Sequence, residues 1–291
     1  MEPSERIENA LQAAVARATA EPAPPQLAEA VRHAVFSGGA RIRPRLCLTV
    51  AAACGDDAPE LADAAATAIE LMHCASLVHD DLPCFDDAAT RRGQPSVHAA
   101  YGERLAVLTG DALIVHALET VSLQVAQAPQ RAGALLTTVT RATGMPYGIT
   151  AGQAWESEPE IPLAAYHQAK TGSLFAAATV AGATAAGAEH QADGWRLVGE
   201  RLGEAYQVAD DLRDAVSAEE ELGKPAGQDS GQGLINAVSE HGLEGAKERL
   251  DRLVEEAVGA VPECAGAEQL RAGILEEMER ALPKTLGRSA A

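Results

Sequence analysis

The chain has 291 residues, enough for one large domain or two ordinary ones with a substantial buried core. It carries 23 Lys and Arg against 42 Asp and Glu, a formal net charge of −19, and no basic run, which argues against nonspecific binding to nucleic acid. Hydrophobic residues make up 47% of the chain and aromatic residues only 3%, so Ala, Leu and Val must build the core, which favours helices over sheets.

Hydrophobic periodicity predicts a series of helices along the chain. They span about 4–20, 26–36, 44–54, 58–80, 103–126, 131–143, 163–187, 194–216, 243–260 and 266–281. Almost no segment alternates with a period of two, and breakers such as Gly38-Gly39 separate the helices. Since no linker is long or polar enough to mark a boundary, we predict one all-α domain over residues 1–291.

The cysteines, the first residues and the uncharged stretches indicate where in the cell the protein is expected. Five cysteines without a close Cys-x-x-Cys pair argue against a disulfide framework and against a zinc site. The first residues lack a basic segment followed by an apolar one, so no secretory signal is expected. The longest uncharged stretch, Ser173 to Ala188, is shorter than the ~18–20 residues of a membrane span. We expect a reduced, cytoplasmic protein with no membrane span.

Two acidic clusters lie far apart in the chain, each following apolar residues. They are Asp80-Asp81-Leu82-Pro83-Cys84-Phe85-Asp86-Asp87 and Asp210-Asp211-Leu212-Arg213-Asp214. On a helix Asp210 and Asp214 share one face, where they repel each other unless a cation lies between them. Carboxylate oxygens suit Mg²⁺. The alternative is a solvated acidic surface, but the apolar residues before each cluster favour the mouth of a cavity.

Basic residues beside glycines and turns could meet a phosphate group. They are Arg41, Arg43, Arg91, Arg92, Lys170 and Lys224. Guanidinium groups bind phosphate oxygens in a bidentate way, and lysines supply a point charge. Each of them alone is better explained as a solvated side chain, and only the set together favours a phosphate site.

Together these motifs resemble those of trans-polyprenyl diphosphate synthases. The run from Glu70 to Asp86 with Arg91-Arg92-Gly93 is similar to the family's first aspartate-rich region, and Tyr206 to Asp214 to its second. Further segments occur in the order typical of the family, before, between and after these two regions. They are Gly38-Gly39, Gly152-Gln153, Lys170-Thr171-Gly172 and Gly223-Lys224. The resemblance covers about residues 30–245 and is greatest to bacterial carotenoid-pathway members that make geranylgeranyl diphosphate. It implies an isoprenoid-synthase-type antiparallel helical bundle around a deep central cavity, assembled as a homodimer.

The resemblance also implies the reaction and the residues that perform it. Isopentenyl diphosphate would be condensed with an allylic diphosphate, such as farnesyl diphosphate, to give geranylgeranyl diphosphate. Several Mg²⁺ ions would be held by Asp80, Asp81, Asp86, Asp210, Asp211 and Asp214. Contacts to the allylic diphosphate would come from Arg91, Lys170, Thr171, Gln207 and Lys224, and contacts to isopentenyl diphosphate from Arg43, His73 and Arg92. His79, His98 and the cysteines are assigned to structure.

Product length is expected to depend on the helix turn before Asp80, which holds Ala75 and Ser76. Family members that stop at fifteen carbons commonly have an aromatic residue in the place of Ala75. The small side chain therefore predicts a longer product, of twenty carbons; the alternative is that Ala75 serves a close helix contact.

Several positions depart from the family pattern. Ala40 stands where many members have lysine, and no lysine occurs near Gln232. Tyr206 replaces the usual phenylalanine, and Glu156 replaces a common aspartate. A charge-assisted contact contributes about 1.5–3 kcal/mol, so two missing lysines would weaken diphosphate binding unless Arg41 compensates.

The sequence leaves alternatives open. The same chemistry could give farnesyl diphosphate or a longer chain. A catalytically silent subunit of a heteromeric synthase is favoured by the missing lysines and disfavoured by the intact aspartate clusters. A terpene cyclase would not normally carry the second aspartate cluster together with Lys170-Thr171-Gly172. A calcium-binding protein is disfavoured because no loop of the D-x-D-x-D-G type occurs.

Overall fold

The computed structural model describes residues 2–222 and 237–281, and almost all regular structure in them is helical. The α-helices are α1 (Pro3–Ala18), α2 (Pro25–Phe36), α3 (Ile42–Ala53), α4 (Pro59–Asp80), α5 (Val97–Tyr101), α6 (Glu103–Ser122), α7 (Pro129–Thr143), α8 (Ile149–Ala154), α9 (Leu163–His167), α10 (Ser173–Ala185), α11 (Ala192–Leu222), α12 (Ala237–Ala260) and α13 (Ala267–Ala281). The prediction of an all-α fold is confirmed.

Short elements complete the chain. A π-helix, Gln168–Gly172, joins α9 to α10, and 3-10 turns form at Trp155–Ser157 and Glu189–Gln191. Two-residue strands β1 (Thr90–Arg91) and β2 (Gln94–Pro95) pair in antiparallel fashion. The sequence did not predict the π-helix, the hairpin, α5 or α8, because elements of two to six residues contain too little of a periodic repeat.

Helix α10 is at the centre of the bundle and packs against α3, α4, α7 and α11. Of its residues all but Ser173 are buried, as expected for a helix that is apolar on every side. A Cβ atom at Gly182 would lie 2.2 Å from the carbonyl oxygen of Cys47, so glycine allows α10 to approach α3 closely. Small side chains on α10 thus bring the helices around it near enough to share one site.

Two described helices, α4 and α6, are long and apolar enough to cross a membrane on length and composition alone. In α4, 78% of the apolar window is buried inside the fold, which is the behaviour of a core helix. In α6 only 39% of the window is buried. Packing within the described residues therefore leaves much of the apolar surface of α6 uncovered.

Candidate active site

The first acidic cluster forms where α4 ends. Asp80 is the last residue of the helix and Asp81 caps it. The following loop folds back, so that the Asp86 amide donates a hydrogen bond of 3.0 Å to the Asp80 carbonyl oxygen. Carboxylates at a helix C-terminus face the negative end of the helix dipole, which is unfavourable unless cations are near.

The surroundings of Asp80 disfavour its ionised form. Burial raises the pKa of Asp80 to about 6, and the negative charges of Asp86 and Glu156 raise it further, against the opposing effect of Lys170 and Arg91. A carboxyl group whose ionised form is disfavoured in this way is stabilised when a cation binds beside it. The donor set therefore fits a hard divalent cation.

Asp81 is placed differently from its neighbour. It is only 2% exposed, and Arg91 Nε donates to its Oδ1 at 2.9 Å, with a second contact from Arg91 Nη2. This ion pair raises the pKa of Arg91. The sequence assigned Asp81 to metal and Arg91 to diphosphate, whereas the structure makes each the partner of the other; both ligand roles stay predictions.

Lys170 is held by a polar network that the sequence did not reveal. Its Nζ contacts Glu156 Oε1, which also accepts a hydrogen bond of 2.6 Å from the Tyr166 hydroxyl. Gln153 Nε2 donates to the other oxygen of Glu156 at 2.6 Å. Lys170 lies in the π-helix, a distortion often found at functional sites. The hydrogen bond to Glu156 and the charge of Asp80 raise the pKa of Lys170 against the effect of burial, so the ammonium is retained.

The second acidic cluster lies on α11 and is linked to the π-helix. Thr171 Oγ1 donates to Gln207 Oε1 at 3.2 Å, and Gln207 Nε2 donates to Asp211 Oδ1 at 3.1 Å. Asp210 pairs with Arg213 and is 54% exposed, and Asp214 is also exposed. The prediction for Lys224 and the gap at Gln232 fall outside the described residues.

No group of three metal-ligating side chains converges within residues 2–222 and 237–281. Mg²⁺ commonly takes one or two protein carboxylates and completes its shell with water and substrate phosphate, so a looser set of aspartates still fits this ion.

A cluster of basic side chains forms around His73 on α4. Arg43 Nη1 is 3.3 Å from His73 Nε2, and the buried Nε of Arg43 has no hydrogen-bond partner within the described residues. Burial lowers the pKa of Arg43 to about 10, and the charge of Arg92 lowers it further despite Glu70. Burial and the nearby arginines keep the pKa of His73 well below its usual range, so its ring is neutral and accepts from Arg43. A guanidinium with a buried N–H group left without an acceptor is suited to bind an anion.

Arg92 reaches this cluster across a glycine turn. Its Nη1 contacts the Gly38 carbonyl oxygen, and a Cβ at Gly39 would lie 2.5 Å from the Arg92 guanidinium carbon. Gly39 has φ of 127°, a conformation that side chains rarely adopt. The two glycines therefore give Arg92 its place next to the cluster of basic side chains.

Arg41 does not compensate for Ala40. It is 9% exposed and donates to Glu8 Oε1 at 2.8 Å, to Glu70 Oε1 at 2.8 Å and to the Val35 carbonyl oxygen at 2.7 Å. These hydrogen bonds use the guanidinium to link α1, α2 and α4. The cation absent at position 40 is therefore not replaced from this side.

An apolar cavity of about 390 Å³ lies beneath Asp80 and Lys170. The sequence placed Ala75 and Ser76 on its wall, and the structure places both there. It adds Met72, His79 and Phe85 from α4 and the acidic loop, Ile114 from α6, and Thr143, Ile149, Thr150, Gln153, Ala154 and Ser157 from the α7–α8 region. Met72 and His79 could have been found from helical spacing to Ala75, whereas the others come from distant segments.

A helical bundle with acidic groups at the mouth of an apolar cavity, together with a separate cluster of Arg43, His73 and Arg92, is typical of enzymes acting on prenyl diphosphates. The sequence pattern of the family described as polyprenyl synthetase matches residues 24–270. The chain belongs to this family.

Similar proteins agree with this assignment. The chain is 56% identical over 279 residues to the geranylgeranyl diphosphate synthase of Cereibacter sphaeroides, covering 96% of both chains. It is 52% identical to the enzyme of the same name from Rhodobacter capsulatus, covering 91% of both. Among solved structures, an FPP/GFPP synthase from Zymomonas mobilis superposes with a TM-score of 0.80 at 30% identity, covering 94% of this chain and 96% of that chain.

Proposed function

We propose that this protein condenses isopentenyl diphosphate with an allylic diphosphate and releases geranylgeranyl diphosphate. Two observations carry the proposal: the buried Arg43 Nε has no hydrogen-bond partner within the described residues, and an apolar cavity is lined at one end by Asp80 and Lys170. His73 and Asp80 are seven residues apart on α4, about 10 Å along the helix and on nearly the same face. Two diphosphate sites of different chemistry thus share one helix.

The charges of the side chains indicate which residues bind each substrate and which hold the metal ions. Arg43 and Arg92 would bind the diphosphate of isopentenyl diphosphate, and Lys170 that of the allylic substrate. Asp80, Asp86 and the α11 aspartates would hold Mg²⁺, which when bound neutralises the charge that develops on the leaving diphosphate. The allylic C–O bond breaks, the isopentenyl double bond forms the new C–C bond, and a proton then leaves for the released diphosphate. Apolar walls exclude water, which would otherwise capture the cation.

The proposal is tested by incubating the purified protein with labelled isopentenyl diphosphate, Mg²⁺ and, separately, dimethylallyl, geranyl and farnesyl diphosphates. Chromatography of the dephosphorylated products is expected to show a dominant twenty-carbon alcohol. A folded protein that makes no product from any starter would favour the silent-subunit alternative, and Ala40→Lys would then be the first variant to examine.

Replacing Arg43 by alanine is expected to raise the KM for isopentenyl diphosphate at least tenfold. The loss of a charge-assisted hydrogen bond costs about 1.5–3 kcal/mol. The KM for the allylic substrate should change little. Because the Arg43 guanidinium forms no ion pair within residues 2–222 and 237–281, its removal leaves no carboxylate of that part of the chain unpaired. Arg43→Lys keeps the charge but not the planar fork and should recover part of the loss; an equal rise in both KM values would contradict the assignment.

The exposed face of α6 supports a homodimer. Val107, Leu108 and Val115 are 43%, 45% and 62% exposed, and Leu108 and Val115 lie two helical turns apart on one side. Exposed apolar patches of this kind mark interaction sites, and a two-fold pair of helices is the commonest way to cover one.

Val115→Glu is expected to convert the dimer into a monomer, measured by sedimentation or by light scattering after size exclusion. Leu197→Glu is the matched control, because Leu197 is an exposed apolar residue, 40% exposed, on α11. A Val115→Glu protein that keeps twice the chain's mass would contradict an interface at α6.

A further inference from the structure

Tyr206, one of the positions that depart from the family pattern, forms a contact that phenylalanine could not form. It is 8% exposed, and its hydroxyl donates a hydrogen bond of 3.3 Å to Glu277 Oε1 on α13. Burial and the Glu277 carboxylate raise the pKa of the Tyr206 hydroxyl, so it keeps its proton and stays a donor. This departure therefore ties α11, which carries the second acidic cluster, to the last described helix.

Glu277 is oriented for this role by a cation. Arg45 Nη2 donates to Glu277 Oε2 at 2.7 Å, which leaves Oε1 for Tyr206. Arg45 belongs to α3, two residues after Arg43. One carboxylate on α13 thus accepts from both α3 and α11.

The ring of Tyr206 continues the series of contacts toward the cluster of basic side chains. It stacks on Phe175 with ring centroids 5.0 Å apart and 25° between the ring planes. The Arg43 guanidinium lies over the Phe175 ring, 4.6 Å from the centre of that ring. An arginine over an aromatic face is held there electrostatically. Because Arg43 lacks any carboxylate partner in the described structure, Phe175 and His73 are what fix its position.

A cavity of about 200 Å³ separates α13 from α3 and α11 at this level. Its walls include Leu202, Tyr206, Ile274 and Glu277. Where side chains are not packed against each other, the hydrogen bond from Tyr206 to Glu277 spans the gap. Its loss would not be compensated by close packing around it.

We propose that the Tyr206 hydroxyl is a positioning residue for the isopentenyl diphosphate site, coupling the docking of α13 through Glu277 to the aromatic stack that holds Arg43. The inference rests on the proposed function in naming that substrate. The physical link between α13 and the stack does not depend on it.

The test is Tyr206→Phe, which removes one oxygen and keeps the ring stack. We expect the KM for isopentenyl diphosphate to rise three- to tenfold while the KM for the allylic substrate changes less than twofold. Amide hydrogen exchange in α13 is expected to accelerate at least threefold. Glu277→Ala should reproduce both effects, and adding Tyr206→Phe to it should add little, because both changes remove the same hydrogen bond.

Glu276→Gln is the matched control, since Glu276 precedes Glu277 on α13 and its side chain pairs only with the exposed Arg280 in the described structure. It should leave KM values and exchange unchanged. Equal rises in both KM values for Tyr206→Phe, or unchanged α13 exchange, would overturn the inference. A wild-type protein without prenyl transfer would instead refute the proposed function, and the exchange measurement would still decide whether the link to α13 exists.

Discussion

Asp80→Asn is expected to lower the rate of condensation by a factor on the order of 10³ with little change in the amount of folded protein. Removing one group that stabilises developing charge typically costs 10²- to 10³-fold, and Asp80 lines the cavity together with Lys170, whose charge it favours. Single-turnover measurements with farnesyl and isopentenyl diphosphates at saturating Mg²⁺ provide the rate.

Stability provides the first control for this variant. The pKa of Asp80 in the folded protein lies above its usual value, so the ionised carboxylate disfavours the folded state at neutral pH without a bound cation. A neutral amide removes that cost. The free energy of unfolding measured without Mg²⁺ is therefore expected to stay the same or increase.

Asp87→Asn is the matched variant, one residue beyond Asp86 in the same loop. Asp87 is exposed and has φ of 49°, a conformation that asparagine also tolerates. It should keep near-normal activity. If both variants lose activity equally, the effect belongs to the charge of the loop and not to Asp80.

Ala75→Phe is expected to move the main product from twenty to fifteen carbons. Ala75 is 2% exposed and faces the cavity beneath Asp80, so a larger side chain there must occupy space that the growing prenyl chain needs. Product chromatography with dimethylallyl diphosphate as starter measures the change. Lengths should fall in steps along the series from Ala75 to Val, Leu and Phe.

Ser76→Ala is a useful comparison, because Ser76 lines the same wall and its hydroxyl only donates to the His73 carbonyl oxygen at 2.8 Å. It should not shorten the product. An active Ala75→Phe protein that still makes the twenty-carbon alcohol would place the limit on chain length elsewhere, with Met72 and Ile114 the next wall residues to examine.

Local sequence patterns were sufficient to predict the long helices and the family. Helical periodicity predicted the long helices, and the resemblance to polyprenyl synthases is confirmed by the family match and by relatives that are 52% and 56% identical to this chain. The segment predicted as one helix over 163–187 was wrong in detail, since the π-helix divides it. A π-turn differs from an α-helix by a single added residue, which hydrophobic spacing does not resolve.

The sequence did not predict which side chains pair with each other when they are far apart in the chain. Arg41 and Arg43 lie two residues apart in the same motif, yet Arg41 meets Glu8 and Glu70 while Arg43 meets no carboxylate among the residues that the structure describes. Glu156 stood out as a departure from the family, but nothing local indicated that Lys170 and Tyr166 would converge on it. Such pairings depend on how the helices pack and therefore appear only in three dimensions.

The π-turn between α9 and α10 has a consequence for insertions and deletions. Neighbouring residues on an α-helix point about 100° apart, so Lys170 can contact Glu156 on one side while Thr171 contacts Gln207 on α11. Losing one residue here would restore regular α-helical hydrogen bonding but rotate everything before it by about the same angle relative to α10. The locally more regular helix would then be the less functional one, and this segment should tolerate substitutions far better than changes in length.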